Sequence, residues 1–304
     1  MPAMEVTGKT AIITGAGSGI NLAFAQLVAS KGCNVVIADI ALSPAAQEFV
    51  SSPPPSAKVL YKRCDVALWA DLAALFPFCK ENGLGTADIV VPGAGVFEPP
   101  WSSFFWGEQD EASVAASRYK TLDINLVHPI RLTRLAITEF LAAGKEQAAV
   151  VHVSSVCGQV PKFSAPIYVA TKHGVSGFVK SMARLEPEFG VRVAGVCPGI
   201  IKTPLWTDHP EKLQMMDEEL DDWATPEEVA VAMLRLIEEE GMKGGTLLEV
   251  GKDQTRIVEM YNDPGPPFEK GKGHRLSKAK LLDDQAVELL IKEKAAAAAV
   301  KEKV

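Results

Sequence analysis

Thr10-Ala11-Ile12-Ile13-Thr14-Gly15-Ala16-Gly17-Ser18-Gly19-Ile20-Asn21 is the stretch on which the fold turns. Its first five residues form a short apolar, β-branched run, the composition of a strand buried on both faces. Gly15, Gly17 and Gly19 follow, and helical spacing of apolar residues from Ile20 to Ser30 comes directly after them. Glycines between a strand and a helix permit a tight reversal. They also let backbone N–H groups approach a pyrophosphate at the helix N-terminus. The literal GxGxxG spacing is absent, so the strand-turn-helix context carries the reading. On it Gly15, Gly17, Ser18, Gly19 and Ile20 are candidate cofactor-binding residues.

Working outward, six further buried-strand runs appear: Asn34–Asp39, Lys58–Tyr61, Asp88–Val91, Ala148–Ser154, Val191–Cys197 and Thr246–Val250. Helical patterns at Leu68–Lys80, Tyr119–Ala143, Ile167–Glu188 and Pro226–Glu240 alternate with them. Such alternation predicts an α/β fold, a doubly wound parallel sheet of about seven strands with helices on both faces. One domain over residues 1–260 accommodates it. Asn262-Asp263-Pro264-Gly265-Pro266-Pro267 then breaks the chain, and residues 261–304 read as a Pro/Gly linker and a helical extension from about Leu281.

The second strand ends at Asp39, twenty residues after Gly19. A carboxylate there accepts both hydroxyls of an adenosine ribose and repels a 2′-phosphate, which favours NAD. Across 304 residues the chain is 47% apolar and 23% charged, a globular composition, and its net charge of −7 offers no general attraction to nucleic acid or anionic lipid. Five cysteines without CxxC spacing read as reduced thiols, with no disulfide frame or zinc site. The first nine residues lack the apolar core of a secretory signal, and no apolar run reaches membrane-spanning length. A cytoplasmic protein is expected.

Tyr168 and Lys172 stand four residues apart, with Ser155 thirteen residues before the tyrosine. One helical turn places the ammonium on the face of the phenol, where its charge is expected to lower the phenol pKa. A tyrosine tuned in that way passes a proton to or from an alcohol or carbonyl oxygen. His173 points to a different face, Cys157 and Cys197 fit as small buried residues, and His128 and His152 have no metal-ligand partners at useful spacing. No catalytic metal is expected.

Turn, acid, serine, tyrosine and lysine in this order resemble the short-chain dehydrogenase/reductase family, from about Gly8 to Gly251. The run from Pro166 to Pro204 is most similar to its hydroxyprostaglandin-dehydrogenase-like members. The resemblance implies a Rossmann-type fold and a catalytic tetrad of Asn125, Ser155, Tyr168 and Lys172. It places Asp65 and Val66 at the adenine, and Gly93, Ala94 and Gly95 on the cofactor after strand four. Pro198, Gly199, Ile201 and Thr203 fall in the segment that closes on the nicotinamide. Lys172 then also bonds the nicotinamide ribose beside Tyr168, Ser155 binds the substrate oxygen, and Asn125 holds a water leading from Lys172 to solvent.

Two departures from the family pattern stand out: Asn21 replaces the turn's last glycine, and Pro92-Gly93 replace two asparagines. Altered local packing or cofactor affinity is expected, with the chemistry retained. The long helices around Tyr119–Ala143 and Ile167–Phe189 imply a homodimer or homotetramer by the same resemblance.

Two aromatic-rich segments lie where such folds hold substrate, beyond the carboxyl ends of the strands. Phe97–Trp106 contributes Phe97, Trp101, Phe104, Phe105 and Trp106, and Pro204–Trp223 contributes Leu205, Trp206, Leu213, Met215 and Met216. An apolar pocket is expected, with Phe97, Trp101, Leu205 and Trp206 on the substrate and the second segment as a lid. Asp208, Glu211, Asp217, Glu218, Glu219, Asp221 and Asp222 read as the lid's solvated face and argue against strongly anionic substrates nearby. The expected activity is NAD-dependent interconversion of a secondary alcohol and a ketone on a bulky apolar body, lipid-, steroid- or polyketide-like. The alternative is an NAD-binding protein without redox turnover, either a scaffold or an enzyme of a non-redox step such as cyclisation or epimerisation.

Overall fold

Ile12 and Ile13 point to opposite faces of one strand, and neither is accessible to solvent. Burial on both faces requires helices on both sides of the sheet, which is the arrangement in the computed structural model of the protein. It describes residues 4–105, 108–207, 223–259 and 279–301. One sheet of eight strands contains β1 (Thr10–Thr14), β2 (Asn34–Asp39), β3 (Val59–Arg63), β4 (Ile89–Pro92), β5 (Ala148–Val153), β6 (Val191–Pro198), β7 (Leu247–Gly251) and β8 (Gln254–Ile257). Their spatial order is β3-β2-β1-β4-β5-β6-β7-β8. All neighbours are parallel except β7 and β8. This is the expected Rossmann-type fold.

Helices α1 (Gly19–Ser30) and α2 (Pro44–Ser51) follow β1 and β2, and α3 (Trp69–Glu81) follows β3. A short α4 (Glu111–Ala115), a turn α5 (Lys120–Leu122) and α6 (His128–Ala143) precede β5. Helices α7 (Pro166–Ser181) and α8 (Leu185–Phe189) precede β6, and α9 (Pro204–Thr207) and α10 (Pro226–Glu238) follow it. The last helix is α11 (Ala279–Lys301). Helices α1 and α10 pack Phe24, Val28, Met233 and Leu236 with Ile13, Val35 and Ile37 into one core. On the other face α3 and α6 pack Leu72, Leu75, Leu132 and Phe140 with Ile12, Val36 and Val90.

The eighth strand is an addition to the expected seven. All four residues of β8 are exposed, so no buried face writes an apolar pattern into them. Helix α2 was also not foreseen, although Ser43 caps it through Ala46 N–H and Pro44 occupies its first turn. The single helix expected over Tyr119–Ala143 is interrupted: residues Asp123–Val127 form a π-helical segment between α5 and α6. The helix expected over Ile167–Glu188 divides into α7 and α8. Helix α11 lies against the second core through Val287 and Leu290, and Arg134–Glu293 (2.6 Å) and Arg184–Asp284 (2.8 Å) ion pairs flank the contact. Among the described residues, no helix is long and apolar enough to cross a membrane.

Candidate active site

The chain turns from β1 toward β2 on one side, while β4 lies on the other, so a crevice opens beyond the carboxyl ends of β1 and β4. A cavity of about 570 Å³ occupies it. Its floor is the glycine turn. Gly15 has φ +72°, and a Cβ there would stand 2.6 Å from the Ala94 Cα. A Cβ on Gly17 would collide with the Ala41 carbonyl oxygen and stand 2.8 Å from the Asp39 carboxylate. The Ser18 side chain makes no capping bond to α1, and that helix has no acid in its first turn. Its first N–H groups are therefore set to receive an anion.

Gly15, Ser18, Gly19 and Ile20 line the cavity, as do Asp39, Asp65 and Val66 at the ends of β2 and β3. Gly93, Ala94 and Gly95 after β4 line it too, with Pro198, Gly199, Ile201 and Thr203 after β6. Gly17 does not reach the wall. Its N–H donates to Asp39 Oδ2 at 2.8 Å and so aims the carboxylate. Steric room, open amides and a terminal carboxylate together fit an adenine dinucleotide.

Ser155, Tyr168 and Lys172 meet at the other end of the same cavity, all three buried. Ser155 follows β5, and its Oγ accepts the Cys157 N–H at 3.1 Å and donates to Pro198 O at 3.5 Å. Lys172 Nζ donates to Val153 O at 2.8 Å and stands 5.4 Å from the centre of the Tyr168 ring. Burial pulls the Lys172 ammonium down to about 8. One expectation is corrected here. Burial raises the Tyr168 pKa above its ordinary value, with the Ser155 hydrogen bond opposing it, so desolvation outweighs any help from Lys172 and the phenol is held protonated.

Asn125 sits within the π-helical segment and does not line the cavity. Its Oδ1 accepts Val96 N–H at 2.9 Å and its Nδ2 donates to Val96 O at 2.8 Å. The amide thus fixes the loop after β4. A π-helical turn shifts side chains around the axis, and Asn125, in the turn just before α6, faces that loop.

Of the expected substrate residues, Phe97, Trp101 and Leu205 line the cavity. Phe97 packs edge-on against Tyr168, with ring centres 4.7 Å apart. Phe104 and Phe105 do not line it. They meet edge to face at 4.8 Å, and Phe105 packs at a tilt against Phe163 at 5.0 Å, at the exposed surface. The side chain of Trp206, together with Trp106, Leu213, Met215, Met216 and the lid acids, lies outside the described residues.

Other residues emerge only in three dimensions. Buried Asn21 sends its Nδ2 to Gly93 O at 2.9 Å, and a Cβ on Gly93 would collide with that amide. The two departures from the family pattern therefore meet in space: the Asn21 amide on α1 fills the room left beside Gly93 after β4. Thr14 Oγ1 receives Gly93 N–H at 3.0 Å and meets His128 Nε2 at 3.0 Å, tying β1, β4 and α6 together. Burial lowers His128 to about 4 and His152 to about 3, so both are neutral packing groups. His173 binds the Val169 carbonyl of its own helix, and Cys197 is buried with its thiol pushed up to about 11.

Fold and cavity are those of a dinucleotide-dependent oxidoreductase, with Ser155, Tyr168 and Lys172 together at one end. The short chain dehydrogenase family matches residues 9–214, and the chain belongs to that family. Among curated proteins it is 30% identical to 15-hydroxyprostaglandin dehydrogenase [NAD(+)] of Rattus norvegicus, over 80% of this chain and 91% of the relative. It is 30% identical to D-beta-hydroxybutyrate dehydrogenase of Cupriavidus necator, over 66% of this chain and 73% of that protein. Cyclohexanol dehydrogenase of an Acinetobacter species is likewise 30% identical, over 78% and 90%. The chain thus lies on the hydroxyprostaglandin-dehydrogenase-like branch of these oxidoreductases.

Proposed function

We propose that the protein interconverts a secondary alcohol and a ketone on a bulky, largely apolar molecule, with NAD as cofactor and Tyr168 as the acid–base group. The observation that carries this is the meeting of Tyr168, Ser155 and Lys172 on the wall of one cavity whose other end holds the glycine turn and Asp39. Gly15, Ser18 and Gly19 would seat the pyrophosphate, Asp39 the adenosine ribose, and Asp65 and Val66 the adenine. When bound, the nicotinamide supplies the hydride acceptor or donor.

Ser155 holds the substrate oxygen and steadies charge developing on it. Tyr168 exchanges a proton with that oxygen, and Lys172, poised near neutral pH, takes the proton onward or orients the cofactor ribose. Phe97, Trp101 and Leu205 would pack the apolar body of the substrate. Lys120 and Lys162 line the same wall, so a body bearing an anionic end also fits it.

Pairing of two copies belongs to the proposal as well. Because α11 is docked on α6, any pairing through α6 must include that helix. A panel of secondary alcohols and ketones, with hydroxy acids and their amides among them, tests the reading through interconversion of NAD and NADH. Turnover is expected with apolar secondary alcohols. Tight NAD binding without turnover of any of them would favour the non-redox alternative.

A further inference from the structure

Glu98 lies outside the cavity wall and is buried nonetheless, at 7% exposure. Its backbone has φ +41°, a conformation that costs a non-glycine residue energy and persists only where surroundings enforce it. What enforces it is the carboxylate. Oε2 accepts the Tyr168 backbone N–H at 3.0 Å, in the first turn of α7. Oε1 accepts the Phe104 N–H at 2.8 Å and faces the Ser103 hydroxyl at 3.4 Å. A single side chain therefore joins the helix that carries Tyr168 to the loop that carries Phe97 and Trp101.

That loop is fastened a second time. Ser102 Oγ accepts the Thr121 N–H at 2.9 Å and Ser102 O accepts the Thr121 hydroxyl at 2.8 Å, on the turn leading to Asn125. Glu98 is thus the fastening of the aromatic loop whose hydrogen bond ends on the Tyr168 backbone itself.

We infer that Glu98 is a positioning residue that couples the substrate-facing loop to Tyr168, so that seating of a bulky substrate on Phe97 and Trp101 fixes the phenol against its oxygen. The inference rests on the proposed oxidoreductase reading. Chemistry separates the variants. Glu98→Gln offers one acceptor oxygen and an NH2, so either the Tyr168 or the Phe104 N–H loses its acceptor. Glu98→Asp keeps the charge on a shorter arm. Glu98→Gly removes the carboxylate and relieves the backbone strain.

The experiment measures kcat and KM for a bulky and a small secondary alcohol, normalised to NAD-binding sites. It adds hydrogen exchange over residues 97–105 and 166–172, a readout independent of turnover. For Glu98→Gln and Glu98→Gly, kcat should fall about tenfold, the scale of a sub-ångström misplacement of a catalytic group. KM should rise several-fold for the bulky alcohol and stay unchanged for the small one. NAD affinity should be unchanged, both segments should lose protection together, and Glu98→Asp should recover part of the loss.

Wild-type kinetics in these variants, or losses fully accounted for by lost NAD-binding sites, would overturn the assignment. If the wild-type protein turns over no alcohol, the oxidoreductase reading fails on its own and the exchange data decide Glu98: protection lost in only one segment overturns the coupling.

Discussion

Adding one methyl group at Gly93 should unseat Asn21. A Cβ there would lie 2.6 Å from both Cγ and Nδ2 of the Asn21 amide, and closer still to Oδ1. Real side chains do not approach so closely, so the amide must leave its buried seat. Overpacking of this kind costs about 1–3 kcal/mol. Loss of the Asn21–Gly93 hydrogen bond adds roughly 0.5–1.5 kcal/mol. Gly93→Ala is therefore expected to destabilise the fold by about 2–4 kcal/mol.

Asn21→Ala loses the same hydrogen bond but also removes Oδ1, a buried acceptor without a partner among the described residues. Those effects offset, and the single variant should stay within about 1 kcal/mol of wild type. In the double variant the added methyl meets no amide, so most of the Gly93→Ala loss should return, a coupling of about 1–3 kcal/mol. Urea midpoints at unchanged slope measure all four corners of the cycle. Additive losses, or a Gly93→Ala protein as stable as wild type, would refute the view that the two positions are packed as one unit.

Further tests follow from the charges. His128 and His152 are pulled by burial to about 4 and about 3, below the ordinary histidine value. A depressed folded pKa means that the stability is present above the unfolded pKa near 6.5 and lost as pH falls toward the folded value. Between about pH 7 and pH 5 each histidine should remove on the order of 2 kcal/mol, and His128→Asn should flatten the fall in urea midpoint by about half. A pH-independent midpoint over that interval would contradict it. Asp39→Asn keeps an oxygen for the Gly17 N–H while removing the charge, so the ratio of NADP to NAD dissociation constants should shift toward NADP by about tenfold or more. Calorimetric titration of both cofactors checks it, and an unchanged ratio contradicts the role given to Asp39.

The parts legible in the sequence were those written locally. Thr10–Thr14 is a buried run followed at once by the glycine turn, and the structure builds a central strand and a helix N-terminus from it. Ser155, Tyr168 and Lys172 were readable because a helix turn and a strand end bring them together over short sequence distance. What escaped depends on contacts between distant segments. Asn21 and Gly93 looked like two separate departures because nothing near either names the other. Glu98 is an ordinary acid in a loop until its reach to Tyr168, seventy positions on, is seen. The exposed β8 has no core face to write a pattern, and the π-helical turn at Asn125 keeps the apolar spacing of an unbroken helix. The direction of the Tyr168 pKa shift escaped for a related reason: spacing shows the neighbouring charge but not the depth of burial.

The central claim is that Tyr168 moves the proton while the rest of the cavity binds the cofactor. Tyr168→Phe deletes one oxygen and leaves the ring against Phe97. The direct measurement is NAD affinity and turnover of the best alcohol or ketone in the same Tyr168→Phe preparation. The account predicts an NAD dissociation constant within about twofold of wild type and a kcat lower by at least about 10²-fold, the lower end for acid–base catalysis. A variant that retains wild-type turnover would contradict it.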